Sequence, residues 1–305
     1  MIRRITEEEV DIIDSIMTKF GQETDIGVPP NFVEQLKTSI KDGKAFVYGS
    51  YTDNNNLNGI GVFGNVSKRF SLIYAENNSI IEVELMDTIF KNHSSDCPFM
   101  GAGGQWVTNS ISNRFIELGF RKIDRAYMTV DREPIENLKN PLLPEDIELE
   151  VYEDSQIDEL AQLMFKGNNN HIDQIVFPNF FGSVEACKDL IANIVKNVYG
   201  EYREPYSWLL KENGKLIGAC LMTIRKNGEA GYIPDIVVDP DYQGRGLGKA
   251  MLIHSMKEIL NGEPDISRVD LDVTLENKAR FLYESIGYEK VSEYSIYVWL
   301  NESKS

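Results

Sequence analysis

The chain has 305 residues, 42 % of them hydrophobic, with 48 Asp or Glu against 31 Lys or Arg and a formal net charge of −17. That length and apolar content suggest about two domains with ample core, while no apolar run reaches the roughly 18 residues of a membrane span and the N-terminus lacks an apolar signal core. A soluble, cytoplasmic protein is expected; the acidity disfavours nucleic acid, which needs clustered cations, and suits cationic amine acceptors, although it also serves plain solubility.

Read in chain order, the first half opens with a short strand at residues 3–5 and an amphipathic helix over 10–17. A strand-to-helix passage follows at Phe70-Ser71-Leu72-Ile73-Tyr74-Ala75-Glu76-Asn77-Asn78-Ser79, which holds no glycine and carries a carboxylate. The cluster Gly101-Ala102-Gly103-Gly104 reads as a tight turn at a strand edge. The stretch 109–120 reads as a short helix closed by Gly119 and Phe120. Between 136 and 146, Pro141 and Pro144 interrupt every period, so a boundary is expected there, giving domains 1–140 and 147–305.

The second half repeats the plan, with a strand at 148–151 and a helix over 157–164. Residues 167–183 combine polar side chains with Phe177, Phe180 and Phe181 and show no helical period, so a pocket-forming loop and aromatic packing on a sheet are equally good readings. Cys97, Cys187 and Cys220 are widely spaced with no histidine cluster, which argues against disulfides and metal, and Cys220 reads as a buried strand residue. His171 and His254 lack any partner pattern and read as structural.

The segment Ile233-Pro234-Asp235-Ile236-Val237-Val238 runs as a strand into Gln243-Gly244-Arg245-Gly246-Leu247-Gly248-Lys249 and then a helix. Glycines at alternate positions let backbone N–H groups point into one concavity, and a helix N-terminus adds bare N–H groups and a positive dipole end, which suits a diphosphate. The dinucleotide fingerprint fails because Lys249 or Met251 stands at its third glycine, and the P-loop fails at Gln243 and Ala250. After a further strand at 268–273, residues 277–288 read as a short helix. Asn277 is its cap and Gly287 its left-handed terminator, and Ala279, Leu282, Tyr283 and Ile286 lie on one face. A shift of 168 residues places Asn109 on Asn277, Phe115 on Tyr283 and Gly119 on Gly287, so the first half is a degenerate copy without the hydroxyl and without the glycine turn, expected to be structural and not a second working site.

The Q-x-x-G-x-G spacing of Gln243 to Gly248 after a V-V-x-P strand end resembles the acetyl-CoA signature of the GNAT superfamily of N-acetyltransferases, and 268–288 resembles its closing motif. The resemblance covers roughly residues 147–300. It implies an α+β fold of two tandem units, each a mostly antiparallel twisted sheet with helices on both faces. It also implies a catalytic C-terminal unit using acetyl-CoA on a small-molecule or peptide amine by direct attack. On that resemblance the backbone of Ile236, Val237 and Val238 pairs with the pantetheine arm, and Gln243, Gly244, Arg245, Gly246, Leu247, Gly248 and Lys249 hold the pyrophosphate. Asn277 serves near the cofactor as well as capping. Tyr283 would protonate the thiolate, although its phenol, at about 10, lies above a thiol at about 8.5; this role is preferred to that of a tyrosine packing its ring into the core. Asp235 would be the amine's base, with Glu229 and a mere surface carboxylate as alternatives. The rival from another class is a non-catalytic acyl-CoA sensor or protein-interaction module.

Overall fold

A computed structural model of the chain describes residues 1–24, 26–226, 228–301 and 303. The chain forms two compact units, Met1–Ile123 with Tyr294–Ser305, and Asp124–Glu293. The proline-bearing connection around Pro141 and Pro144, which the sequence suggests as a boundary, lies inside the second unit. The crossing points fall within two strands, because backbone pairing decides which unit a strand joins and pairing partners are not written in local sequence.

In chain order the first unit holds β1 (Ile2–Ile5), α1 (Ile13–Glu23), α2 (Phe32–Lys41), β2 (Ala45–Tyr51), β3 (Leu57–Gly64), β4 (Arg69–Ala75), α3 (Ser79–His93), β5 (Phe99–Gly103) and α4 (Asn109–Glu117). The chain leaves it through β6 (Arg121–Asp131). The second unit continues with α5 (Arg132–Asn137), β7 (Ile147–Val151), α6 (Ile157–Asn168), α7 (Ile172–Val176), α8 (Pro178–Phe181) and α9 (Val184–Val195). Then come β8 (Glu201–Tyr202), β9 (Trp208–Glu212), β10 (Lys215–Ile224), β11 (Ala230–Val238), α10 (Leu247–Gly262), β12 (Arg268–Thr274) and α11 (Ala279–Glu284); β13 (Glu289–Leu300) returns to the first unit.

The first unit's strands run in the order β1-β2-β3-β4-β5-β13, antiparallel except for β4–β5. The second unit's strands run β6-β12-β11-β10-β9-β7, antiparallel except for β11–β12. Each unit therefore carries one parallel pair at the same place in its plan. Alternation along β10 sends Cys220 and Met222 into one core with α10 and Ala219 and Leu221 into another with α6 and α9, so helices cover both faces of the second sheet. In α1, Ile13, Ile16, Met17 and Phe20 are buried at spacings of three and one, the stripe of an amphipathic helix on a sheet.

The segment 167–183 is largely helical, beginning with the last two residues of α6. It forms α7 and α8, each too short to show a period, started by His171 as N-cap and by Pro178 at the first turn. Among the described residues no helix is long and apolar enough to cross a membrane, and no cluster of His, Cys, Asp or Glu could hold a metal ion.

Candidate active site

The site begins where β11 and β12 part. Their parallel ladder pairs Ala230 with Arg268 through Ile233 with Leu271, yet β11 continues to Val238. The antiparallel partner β10 slips register between Leu221 and Thr223, where Ile233 and Pro234 together oppose one residue. Proline has no N–H to give to a ladder, so a bulge at this position is the expected response. The outer edge of Asp235 to Val238 is thereby turned away from β12 and opens a wedge. Val237 is buried, while Asp235, Ile236 and Val238 keep part of their surface open.

At the end of the wedge the chain turns through Gly244 and Gly246, both at φ 78°, a left-handed conformation that glycine adopts without a Cβ penalty. A Cβ at either would meet nothing within 4 Å, so these positions face open space and the backbone itself forms the surface. Gly246 is the N-cap of α10, and the amides of the helix's first turn have no intrahelical acceptor. Gln243 ties the turn down by donating from Nε2 to the Val238 carbonyl at 3.1 Å. Arg245 pairs with Glu212 at 2.9 Å, whereas Lys249 meets only the Ser285 hydroxyl at 3.4 Å, leaving an ammonium without a carboxylate among the described residues. Bare amides, a helix N-terminus and an uncompensated cation fit a diphosphate.

Beside the wedge lies a buried polar cluster. Asp173, from α7, accepts from Thr274 Oγ1 at 2.6 Å and from Asn277 Nδ2 at 2.8 Å, and Arg125 Nη1 stands 3.6 Å away. Arg125 in turn donates to Thr274 Oγ1 at 2.8 Å and lies over the Phe177 ring. Burial alone would raise the Asp173 carboxyl, but hydrogen bonds from His171 and Thr274 and the charges of Arg125 and His171 hold it below its ordinary range. His171 Nδ1 is 3.3 Å from both the amide and the carboxylate of Asp173, and that carboxylate raises the imidazole's pKa. Asp235 has no hydrogen-bond donor among the described residues. Desolvation first, and the Asp173 charge second, push it up to about 7. Tyr283 is 6 % exposed, and burial followed by the charges of Asp173 and Asp235 raises its phenol. Its hydroxyl likewise lacks a partner among the described residues. The arrangement brings together a carboxylate poised near neutrality and a phenol that holds its proton, the pair of properties an acid and a base need.

The structure brings Asp235, Tyr283 and the glycine turn to one end of the second unit. The alternative base Glu229 sits at the far end of β11 and is exposed. The N-cap of α11 is Lys278, one residue after Asn277; Asn277 Oδ1 accepts the Ala279 amide at 2.8 Å, and its Nδ2 donates to Asp173. Cys220 is fully buried and its thiol is pushed up to about 12 by desolvation, which leaves it inert as a nucleophile. His254 packs edge-on against Trp208 at 4.3 Å between ring centroids. Sequence reading missed Asp173 and Arg125. A signal existed: Arg125, Tyr127 and Thr129 alternate with buried Ala126, Met128 and Val130, and Asp270, Asp272 and Thr274 alternate with Val269, Leu271 and Val273. Two neighbouring strands with one polar face each mark a working surface.

Residues 172–288 match the acetyltransferase (GNAT) family. A segment of 84 residues, 27 % of the chain, is 32 % identical to the [ribosomal protein bS18]-alanine N-acetyltransferase of Escherichia coli (strain K12) and spans 54 % of that protein, so the chain covers about half the length of the relatives it matches. Over the whole chain the fold resembles that of two solved structures. One solved structure is the tandem GNAT protein from the clavulanic acid biosynthesis pathway, with TM-score 0.61 and 12 % identity, covering 98 % of each chain. Another is the GCN5-related N-acetyltransferase from Sphaerobacter thermophilus, with TM-score 0.60 and 14 % identity, covering 98 % of this chain and 95 % of that one.

Proposed function

We propose that the second unit is an N-acetyltransferase that takes acetyl-CoA along the free edge of β11 and passes the acetyl group to an amine by direct attack. The observation that carries this reading is the coincidence of three things at one wedge: an edge turned out by the Pro234 bulge, a bare-amide cradle at Gly244–Gly246, and Asp235 pushed up to about 7. Acetyl-CoA, when bound, supplies an activated acyl group as a thioester.

Every other contribution comes from the chain. The amides of Gly246 to Lys249 and the Lys249 ammonium would hold the diphosphate. The backbone of Ile236, Val237 and Val238 would hydrogen-bond the pantetheine arm as an added strand, one N–H polarising the thioester carbonyl. Asp235 takes a proton from the incoming ammonium, a transfer that its raised pKa makes efficient near neutral pH. Tyr283, kept protonated by its surroundings, is placed to return a proton to the departing thiolate. Asp173 is a positioning residue whose charge helps to raise Asp235. All three cysteines are buried, and the setting we propose for the chain is the cytoplasm.

The test is a calorimetric titration of the full chain with acetyl-CoA, followed by a free-thiol assay of CoA release. The acceptors are small primary amines and peptides with a free N-terminal alanine, the latter because of the sequence likeness to an alanine N-acetyltransferase. Binding with amine-dependent thiol release is expected. Binding without release from any acceptor would favour a sensor, and no binding would overturn the reading.

A further inference from the structure

The first unit contains a cleft of about 490 Å³ where its own parallel pair would part, between β4, α3 and the chain leading into α4. That volume lies in the range of small-molecule sites. Its walls include the aromatic rings of Phe20, Tyr74 and Trp106, together with the carboxylates of Glu23 and Glu82, and no Lys, Arg or His lines it among the described residues. Glu82 is only 7 % exposed, and it accepts from Thr108 Oγ1 at 3.2 Å. At the mouth, Glu23 accepts from Tyr74 Oη at 2.5 Å and from Asn77 Nδ2 at 3.3 Å. Neither carboxylate forms an ion pair with a described residue, and burial pushes the Glu82 carboxyl up, as expected of a carboxylate without a counter-cation.

The cleft is closed to anions. The first amides of α3, which would face one, are already taken: Asn78 Oδ1 accepts from the Ile80 and Ile81 amides at 3.1 and 3.2 Å. The turn passes through Asn77 at φ 45° and not through glycine, so its backbone carries side chains where the second unit's turn is bare. What remains is two carboxylates without cations, set among three aromatic rings.

We infer that this cleft binds a small organic cation, a primary ammonium carried on an apolar or aromatic body. The ammonium would sit between Glu82 and Glu23, donating to their free lone pairs, with its body against Trp106 and Phe20, where ring faces attract positive charge. Gly104 lets Trp106 lie this close: a Cβ there would stand 2.9 Å from the indole. The inference is independent of acetyl transfer in the second unit.

The experiment titrates phenethylammonium chloride into the full-length protein, read by tryptophan fluorescence and calorimetry. Its neutral and anionic analogues, 2-phenylethanol and phenylacetate, serve as controls. We expect saturable binding of the ammonium and at least about tenfold weaker binding of both analogues. Glu82→Gln should weaken it about tenfold, and so, to a smaller degree, should Glu23→Gln, whose exposed site tolerates the change without loss of fold. Asp235→Asn in the second unit should leave this binding as it was. Equal affinity for the neutral or anionic analogue, absence of saturable binding, or binding unmoved by both glutamate variants would each overturn the inference. So would loss on Asp235→Asn with retention in Glu82→Gln, which would assign the amine to the second unit.

Discussion

Asp235→Asn should make the second unit more stable at alkaline pH while removing most of its turnover. An aspartate ionises near 3.8 in its ordinary state, and Asp235 is pushed up to about 7 in the fold. A carboxyl whose pKa is raised by folding destabilises the folded state wherever the unfolded chain is ionised, so the penalty begins near pH 4, grows to pH 7 and is constant above. At about 1.4 kcal/mol per pH decade the ceiling is about 4 kcal/mol. Asp235 keeps part of its surface open, and solvent there halves the figure, so about 2 kcal/mol is expected at pH 8. The amide carries no charge and escapes the penalty, so the variant's advantage should be absent at pH 4 and full at pH 8. Turnover should fall by roughly 10²- to 10⁴-fold, with loss of the acidic limb of the pH–rate profile. Urea unfolding at the two pH values, followed by hydrogen exchange of peptides from β10 and β11, isolates the second unit. Equal stability of the two proteins at pH 8 would show that Asp235 ionises as an ordinary surface aspartate and refute its assignment as the poised base.

Tyr283→Phe removes a hydroxyl that no described residue binds, so acetyl-CoA affinity by calorimetry should change by less than about twofold while turnover drops by roughly 10- to 100-fold; unchanged turnover would reduce Tyr283 to its packing against Tyr288. Gly246→Val puts a β-branched side chain into a left-handed position at a cost of about 1–2 kcal/mol, with no clash because the space is open. Its larger effect should be at least about tenfold weaker acetyl-CoA binding, since the added side chain occupies the cradle; undiminished binding would place the diphosphate elsewhere. Asn277→Ala strips a donor from Asp173 and an acceptor from the Ala279 amide, and should cost about 2 kcal/mol at neutral pH. Because Asp173 is held below its ordinary range, the stability its ionised form contributes is lost as pH falls through its folded pKa, so this deficit should shrink below about pH 4. Thermal melts across pH 3–8 would check it.

How much of this was legible depended on how local the physics was. The glycine turn is local: Gly244 and Gly246 adopt the backbone that only their residue type takes cheaply, and Pro234 disrupts the ladder at its own position. The closing helix is local too, with Tyr283 and Ile286 buried and Gly287 at φ 99°. Asp173 was not legible, because Thr274, its nearest donor, lies 101 residues further along and the contact exists only once α7 is folded against the sheet. The short helices α7 and α8 escaped notice because one turn of helix has no period to detect, and their stability comes from a cap, a proline and the Phe177–Phe180 stack. Strand membership was equally hidden. Nothing in the composition of β6 or β13 says that one pairs with β12 and the other with β5.

The two clefts occupy the same place in the same plan and differ in sign because of who satisfies one helix end. Every helix begins with amides that need acceptors. In the second unit the chain enters α10 through Gly246, which has no side chain to offer, so those amides remain for a ligand that must be an anion. In the first unit it enters α3 through Asn78, whose carbonyl oxygen takes two of them, and an anion would gain nothing there. Once the positive end is capped from within, carboxylates such as Glu82 stand near it without disturbing any ligand, and their own unmet charge becomes the dominant field of the cleft. On the proposals made above, a glycine turn suits the second unit's cleft to an anion, and the Asn78 cap suits the first unit's cleft to a cation.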